Sequence, residues 1–115
     1  MAYKNSLITG ITELLILSLL NQQDSYVYEI QKTISSNSGD LLSISLNTIY
    51  TATYKLEGEN MISEYSKRVG KKRTRVYYHL EPCGKEHLQK ISGDYSKMTE
   101  GVKRVLDSLG GDTNG

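Results

Sequence analysis

The sequence contains neither tryptophan nor phenylalanine, and it has one cysteine and one proline. A lone cysteine, Cys83, cannot form an internal disulfide, which fits a reducing cytoplasm. Without the other two large aromatic residues, the nine tyrosines must supply nearly all the flat apolar surface, in the core or at an interface. The 115 residues, with charges of both signs, are typical of one folded domain with one modest core.

The sequence also lacks an apolar run long enough to cross a bilayer. The longest run, residues 14–20, is much shorter than the roughly 20 residues that a spanning helix needs. Glu13 abuts this run, only Lys4 precedes it, and polar residues 21–24 follow it, which disfavours a signal peptide. We therefore expect a buried core helix here and no membrane partner.

The usual marks of catalysis are missing as well. The sequence has no arrangement typical of a Ser–His–Asp catalytic triad, no phosphate-binding glycine loop and no pair of carboxylates surrounded by apolar residues. His79, Cys83 and His87 are spaced by four residues and are of types that hold zinc, but no fourth candidate ligand lies nearby. We expect no enzyme activity, no cofactor and no metal.

Hydrophobic periodicity predicts three helices in the first half of the chain. The first covers about residues 6–21 and is apolar on several sides. Asp24 or Ser25 can cap the second helix, and Ser43 or Ser45 the third, because short polar side chains accept a bond from a free backbone N–H. The third helix has one apolar face and an opposite face of mostly polar side chains.

The second half of the chain predicts a hairpin followed by one long helix. Two β-like runs indicate strands over Ile62–Arg68 and Thr74–Leu80, the second with alternating side chains, and Gly70 lies in their connection. After Pro82, which suits a first helical turn, apolar residues recur at intervals of three and four. Such a heptad seam must be buried, and it predicts a homodimer interface. The seam consists of Leu88, Ile91, Tyr95, Met98, Val102, Val105 and Leu109.

Six cations and no acid lie within residues 67–75, at the predicted hairpin. Because the net charge of the whole chain is only +1, the rest of the chain has a net charge of −5, and this segment is a local basic patch on an acidic body. Three helices followed by a basic two-stranded wing is the winged helix-turn-helix plan, in which the third helix enters the major groove of DNA. We therefore predict a mainly α fold with a small β-hairpin: a DNA-binding domain over 1–81, a dimerisation helix over 82–109 and a disordered tail over 110–115.

The predicted DNA-binding side chains come from the third helix and the wing. Polar groups on the helix can reach base edges or phosphates, and wing cations bind phosphates. Under the alternative interpretation, the wing cations form a charged surface that contacts solvent and no DNA. The alternative for Tyr50 and Tyr54 is packing against the second helix or the wing, and we expect it for Tyr54. The predicted DNA-binding residues are Ser45, Asn47, Thr48, Tyr50, Thr51, Lys55, Lys71, Lys72, Arg73 and Arg75.

Several separated stretches resemble the PadR family of transcriptional regulators, over nearly the whole chain from about Leu7 to Leu109. They are ELLILSLL at 13–20, YVYEI at 26–30, TIY at 48–50 with KLE at 55–57, and RVYYHL at 75–80. The resemblance implies a repressor that dimerises through its last helix with help from the first, and a phosphate contact by Tyr50. It also implies that an aromatic or drug-like effector can bind at the dimer centre, beside Tyr95.

Three alternatives stay open. Tyr95 can be an ordinary core tyrosine, and the regulator can lack an effector and be controlled by its own abundance. The chain can also be a protein-interaction module that uses the winged fold without DNA. Such a module has no need of six cations on its wing, so the basic segment favours DNA binding.

Overall fold

The computed structural model describes residues 6–110 and, over residues 6–9, the course of the backbone alone. Of the tail expected at 110–115, all but Gly110 lies outside the described residues. The elements in chain order are α1 (Ser6–Gln22), β1 (Ser25–Tyr26), α2 (Val27–Asn37), α3 (Leu46–Gly58), β2 (Ile62–Arg68), β3 (Thr74–Leu80) and α4 (Pro82–Gly110). The mainly helical winged-helix fold with a long last helix is confirmed.

The caps of α2 and α3 are formed in different ways. Ser45 caps α3, and its Oγ accepts a hydrogen bond of 3.1 Å from the backbone N–H of Thr48. At α2 the cap residue is Tyr26, which makes no side-chain cap bond. The prediction that Asp24 or Ser25 caps α2 is therefore wrong, because Ser25 belongs to a strand and the Asp24 carboxylate bonds to the wing.

The sheet has a third strand that the sequence did not predict. The strand order is β1-β3-β2, and both pairings are antiparallel. In β1, Ser25 and Tyr26 pair with Tyr78 and Tyr77 of β3. The wing is therefore tied along one edge to the segment that leads into α2.

One apolar cluster joins all the major elements. Its fully buried members include Ile16 and Leu17 of α1, Ile30 of α2, and Ile49 of α3. Leu88 is the only member that α4 contributes, with Ile91 packed against the cluster. Only the first turns of α4 are therefore anchored in the core.

Within residues 6–110, no helix is both long enough and apolar enough to cross a membrane.

Candidate nucleic-acid interface

Helix α3 is held by one face and exposes the other. Its buried side chains are Ile49, Ala52, Thr53 and Leu56, which recur at helical spacing against the core. The opposite face exposes the side chains of Asn47, Tyr50, Thr51 and Tyr54. The sequence prediction of one apolar and one mostly polar face on this helix is thus confirmed.

Two hydroxyl groups on α3 make hydrogen bonds within the helix. The Ser45 hydroxyl donates to Thr48 Oγ1 at 2.9 Å, in addition to its cap bond. The Thr51 hydroxyl donates to the backbone oxygen of Asn47 at 2.9 Å. Since each hydroxyl has one proton, Ser45 and Thr51 can offer an outside ligand only an acceptor or an apolar surface.

Lys55 lies at the edge of α3 that faces α1. Its Nζ is 2.6 Å from Oε2 of Glu13, which lies on α1. The hydrogen bond to Glu13 and the negative charge of that carboxylate raise the pKa of Lys55. The ammonium group therefore points toward α1, whereas sequence reasoning grouped it with the DNA-facing side chains.

Among the residues that the structure describes, Tyr54 packs against no other element. Its side chain is 81% exposed on the outward face of α3, so the expectation of packing against α2 or the wing is wrong. It follows Asn47 and Thr51 at intervals of four and three, the spacing of one stripe along a helix. That spacing is the sequence signal that could have identified it.

Three tyrosines form a row across the outer face of the sheet, one from each strand. The Tyr65 and Tyr77 rings stack with centroids 5.8 Å apart, and Tyr26 meets Tyr77 edge-on at 5.4 Å. Two wing cations cover this row: Lys67 Nζ is 5.3 Å from the centroid of Tyr77, and the Arg75 guanidinium is 4.3 Å from that of Tyr26. The row thus holds the base of the wing and orients two of its cations.

The tip of the wing is a short turn that carries the remaining cations. Gly70 adopts a φ of +87°, which a residue without a side chain tolerates best, and the backbone N–H of Val69 donates to Arg73 O at 2.9 Å. The Arg68 guanidinium donates to the backbone oxygen of Lys71 at 2.8 Å. The side chains of Lys71, Lys72 and Arg73 are exposed. Within residues 6–110, none of the six wing cations forms an ion pair with a carboxylate.

The Asp24 carboxylate joins the end of α1 to the wing. Its Oδ1 is 2.8 Å from His79 Nδ1, and its Oδ2 accepts a bond of 2.7 Å from the Tyr65 hydroxyl. Partial burial raises the pKa of Asp24, but the hydrogen bonds of His79 and Tyr65 outweigh it and hold this pKa below its ordinary value. The hydrogen bond from Tyr65 to Asp24 also raises the pKa of the Tyr65 hydroxyl.

The three residues weighed as zinc ligands have separate partners. His79 contacts Asp24, the Cys83 thiol donates to the Asn60 backbone oxygen at 2.8 Å, and His87 is 3.8 Å from Glu13. In the part of the chain that the structure describes, no cluster of three or more His, Cys, Asp or Glu could hold a metal ion.

The predicted heptad seam divides into a buried and an exposed part. Leu88 is buried in the core of its own chain, and Ile91 is half-buried against it. From Tyr95, which is 41% exposed, to Leu109, which is 76% exposed, no element in the described part of the chain covers the seam. Leu106 is also exposed beside the seam, at a position that the strict heptad did not include. The exposed side chains are Tyr95, Met98, Val102, Val105, Leu106 and Leu109.

An open groove of about 840 Å³ lies between α1, α3 and the middle of α4. Its apolar lining includes Ile11, Leu14, Ile91, Tyr95 and Met98. The paired Lys55 and Glu13 lie at its rim with Asp94. Tyr95 thus borders both the groove and the exposed seam.

Comparisons with known proteins agree with this geometry. A family model described as "Transcriptional regulator PadR-like family" matches residues 16–90. A transcriptional regulator from Clostridium thermocellum is 30% identical, with a TM-score of 0.77, 95% of this chain covered and 99% of that one. The protein smu.1704 from Streptococcus mutans UA159 is 31% identical, with a TM-score of 0.78 and coverage of 93% and 94%. A PadR family transcription regulator from Clostridium difficile R20291 is 27% identical, with a TM-score of 0.73 and coverage of 84% and 99%. No curated protein sequence matches the chain significantly.

Proposed function

Because the chain belongs to the PadR-like family of transcriptional regulators, we propose that it represses transcription by binding operator DNA as a homodimer. The observation that carries this proposal is a wing of six cations, none paired with a carboxylate in the described part of the chain, beside the exposed polar face of α3. A cleft of about 300 Å³ separates Tyr50 of α3 from Arg75 of the wing, so the two surfaces adjoin. Polyanionic DNA is the partner that such an arrangement fits.

We assign the DNA contacts to two groups of residues. Wing cations bind phosphates and give affinity that is independent of sequence, whereas α3 side chains reach base edges in the major groove. Ser45 and Thr51 act as acceptors or apolar contacts, and Lys55 reaches DNA only if it leaves Glu13. The proposed contacts remain Ser45, Asn47, Thr48, Tyr50, Thr51, Lys55, Lys71, Lys72, Arg73 and Arg75.

The proposed dimer forms through α4, by contact with α4 and α1 of a second copy. The exposed seam beyond Ile91 supports this assignment, because burial of an apolar stripe on an otherwise uncovered helix lowers the free energy of the assembly. Leu88 already packs in the core of its own chain, so it supports the interface from within the protomer and does not contact the second copy directly. In this arrangement residues 1–81 form the DNA-binding domain and residues 82–109 form the dimerisation helix.

We further propose that a flat aromatic or drug-like effector binds beside Tyr95 and relieves repression. The apolar groove that Tyr95 and Met98 border supports this role, since it has the size and chemistry of a small-molecule site. Planar aromatic compounds should quench or shift tyrosine fluorescence and weaken DNA binding. Both effects should disappear in Tyr95→Ala, and equal binding to that variant would place the effector elsewhere.

The function itself is tested by a salt titration. The anisotropy of a labelled duplex from the region upstream of the chain's own gene is measured against protein concentration at 50 to 200 mM salt, the interval over which phosphate contacts change affinity strongly. We expect the logarithm of affinity to fall linearly with the logarithm of salt concentration. An absence of binding at low salt would favour the alternative, a protein-interaction module.

A further inference from the structure

Within the described residues, three polar side chains on the outward face of α3 form no hydrogen bond or ion pair. Asn47, Tyr50 and Tyr54 are exposed, and within residues 6–110 their side chains make no hydrogen bond or ion pair. The hydroxyl protons of Ser45 and Thr51 and the ammonium group of Lys55 are engaged, as described above. The set of α3 side chains free to read DNA is therefore smaller than the sequence suggested, and it includes Tyr54.

The position of Tyr54, more than its exposure, points to a role. Single exposed apolar side chains are ordinary on protein surfaces. Tyr54, however, lies on the same stripe as Asn47 and Thr51, and a stripe that faces outward from a recognition helix faces the bases. Seven residues separate it from Asn47, which is about 10.5 Å along the helix axis, or about three base-pair steps.

The size and chemistry of tyrosine suit that position. A straight helix diverges from the curved floor of the major groove, so a residue two turns beyond Asn47 needs a longer side chain to reach a base. A tyrosine ring is long and has few rotatable bonds, so ordering it costs little entropy. Helix α3 has no arginine or glutamine, and a tyrosine cannot make their bidentate contact, so the Tyr54 ring reads sequence through apolar contact with a thymine methyl group.

We infer that Tyr54 is a specificity-determining residue whose ring contacts the C5-methyl group of a thymine, about three base pairs from the base that Asn47 reads. This inference rests on the proposed function. It concerns sequence preference, whereas the proposed function concerns DNA binding itself, so the two can fail separately.

The test begins with selection of binding sites from a random duplex library. The wild-type protein should select a thymine at one position in each half-site, and Tyr54→Phe, which keeps the ring, should select the same thymine. Tyr54→Ala should lose the preference at that position alone. The side chain is exposed, so the variant should fold, which circular dichroism can check.

Replacing the selected thymine with deoxyuridine removes only the methyl group. Wild-type affinity should then fall about fourfold for each substituted half-site, the effect of losing one buried methyl group. Tyr54→Ala should bind the thymine and deoxyuridine duplexes equally. Tyr28→Ala makes the same change at an exposed tyrosine outside α3 and should respond to deoxyuridine as the wild type does.

Two results would overturn the inference while leaving the proposed function intact. Tyr54→Ala could retain the wild-type preference with uniformly weaker binding, which would make Tyr54 a phosphate contact. It could also bind every duplex as the wild type does, which would make its exposure incidental. A wild-type protein that binds no duplex even at low salt would instead refute the proposed function, and the inference with it.

Discussion

At the scale of single residues, the partners of the Asp24 carboxylate affect whether the next two residues join the sheet. The Asp24 side chain was a reasonable cap for α2, but it accepts hydrogen bonds from Tyr65 and pairs with His79 instead. Residues 25 and 26 can then extend along β3, which adds the third strand of the sheet. The contact spans 41 residues to Tyr65 and 55 to His79, distances that no local sequence pattern reports.

We predict that Asp24→Asn lowers stability near neutral pH and that the loss disappears in acid. The folded-state pKa of Asp24 is depressed below 3.8, so its stabilising effect is present above about pH 4 and is lost as pH falls through the folded pKa. The loss should be about 1 kcal/mol or less, as for other partly exposed pairs. Urea unfolding of both proteins from pH 6 to pH 2.5 measures it.

A carboxylate without such partners provides the control for this experiment. Glu86 is exposed and makes no side-chain hydrogen bond or ion pair within the described residues, so Glu86→Gln should track the wild type at every pH. A difference between Asp24→Asn and wild type that stays constant down to pH 2.5 would show that the carboxylate is not the source of the stabilisation.

Gly84 is a second residue on which the architecture depends. A Cβ atom at this position would lie 2.1 Å from the backbone oxygen of Met61, where α4 begins against the start of the hairpin. We predict that Gly84→Ala destabilises the fold by about 1–3 kcal/mol, the usual effect of overpacking. Gly93→Ala is the matched control, because that site is open and alanine favours a helix by about 1 kcal/mol. Chemical unfolding that ranks the two variants in the opposite order would contradict the packing seen at Gly84.

At the scale of elements, regular patterns were predictable and isolated contacts were not. The strands Ile62–Arg68 and Thr74–Leu80 match their predicted bounds, because each run of seven residues is long enough to show a β-like pattern, which in the second is a clear alternation. A two-residue strand such as β1 has no period to detect. On α3, the buried face followed from spacing, but the Lys55–Glu13 pair joins residues 42 apart, and the exposure of Tyr54 depends on what the fold leaves uncovered.

For the wing, we predict that Lys71→Ala, Lys72→Ala or Arg73→Ala weakens binding to all DNA sequences alike. Each phosphate contact contributes about −0.9 to the slope of log affinity against log salt, and a dimer loses two contacts per substitution. The magnitude of this negative slope should therefore decrease by up to about 1.8. Asn47→Ala should instead weaken binding to selected DNA by about 1–3 kcal/mol per lost base contact and leave the slope unchanged.

Lys97→Ala is the control for the wing variants, since it removes an exposed cation from α4 instead. It should retain the wild-type slope on selected and on random duplexes. If the wing variants also retain that slope, the six cations form a solvated face, and the DNA surface lies elsewhere on the protein.

At the scale of the whole molecule, α4 carries the chain away from its core. The helix has 29 residues and is about 43 Å long, yet only its first turns touch the apolar cluster. Ion pairs between successive turns, such as Lys103–Asp107 and Arg104–Glu100, stabilise the helix. The seam itself is exposed within the described residues, and in the proposed dimer a two-fold axis through it would place two wings and two α3 helices symmetrically.

We predict that Val102→Glu converts the protein to a monomer with an intact fold. Val102 is 53% exposed, so its replacement leaves the core of the single chain undisturbed. In the dimer, the substitution removes two apolar contacts and brings two like charges into an apolar seam, which should weaken association by roughly a hundredfold or more. Ser96→Glu introduces the same side chain on the opposite face of α4 and should leave the dimer intact. Sedimentation equilibrium of the three proteins measures the change.

DNA binding extends this experiment to the arrangement of the operator. Two α3 helices related by a two-fold axis enter successive major grooves on one side of the duplex, about 34 Å apart. Wild type and Ser96→Glu should therefore protect two half-sites one helical turn apart. Val102→Glu should bind each half-site weakly and without cooperation, because its wing and α3 are unchanged but no longer linked. A wild-type protein that sediments as a monomer, or a footprint confined to one half-site, would refute the symmetric dimer and leave the exposed seam for a different partner.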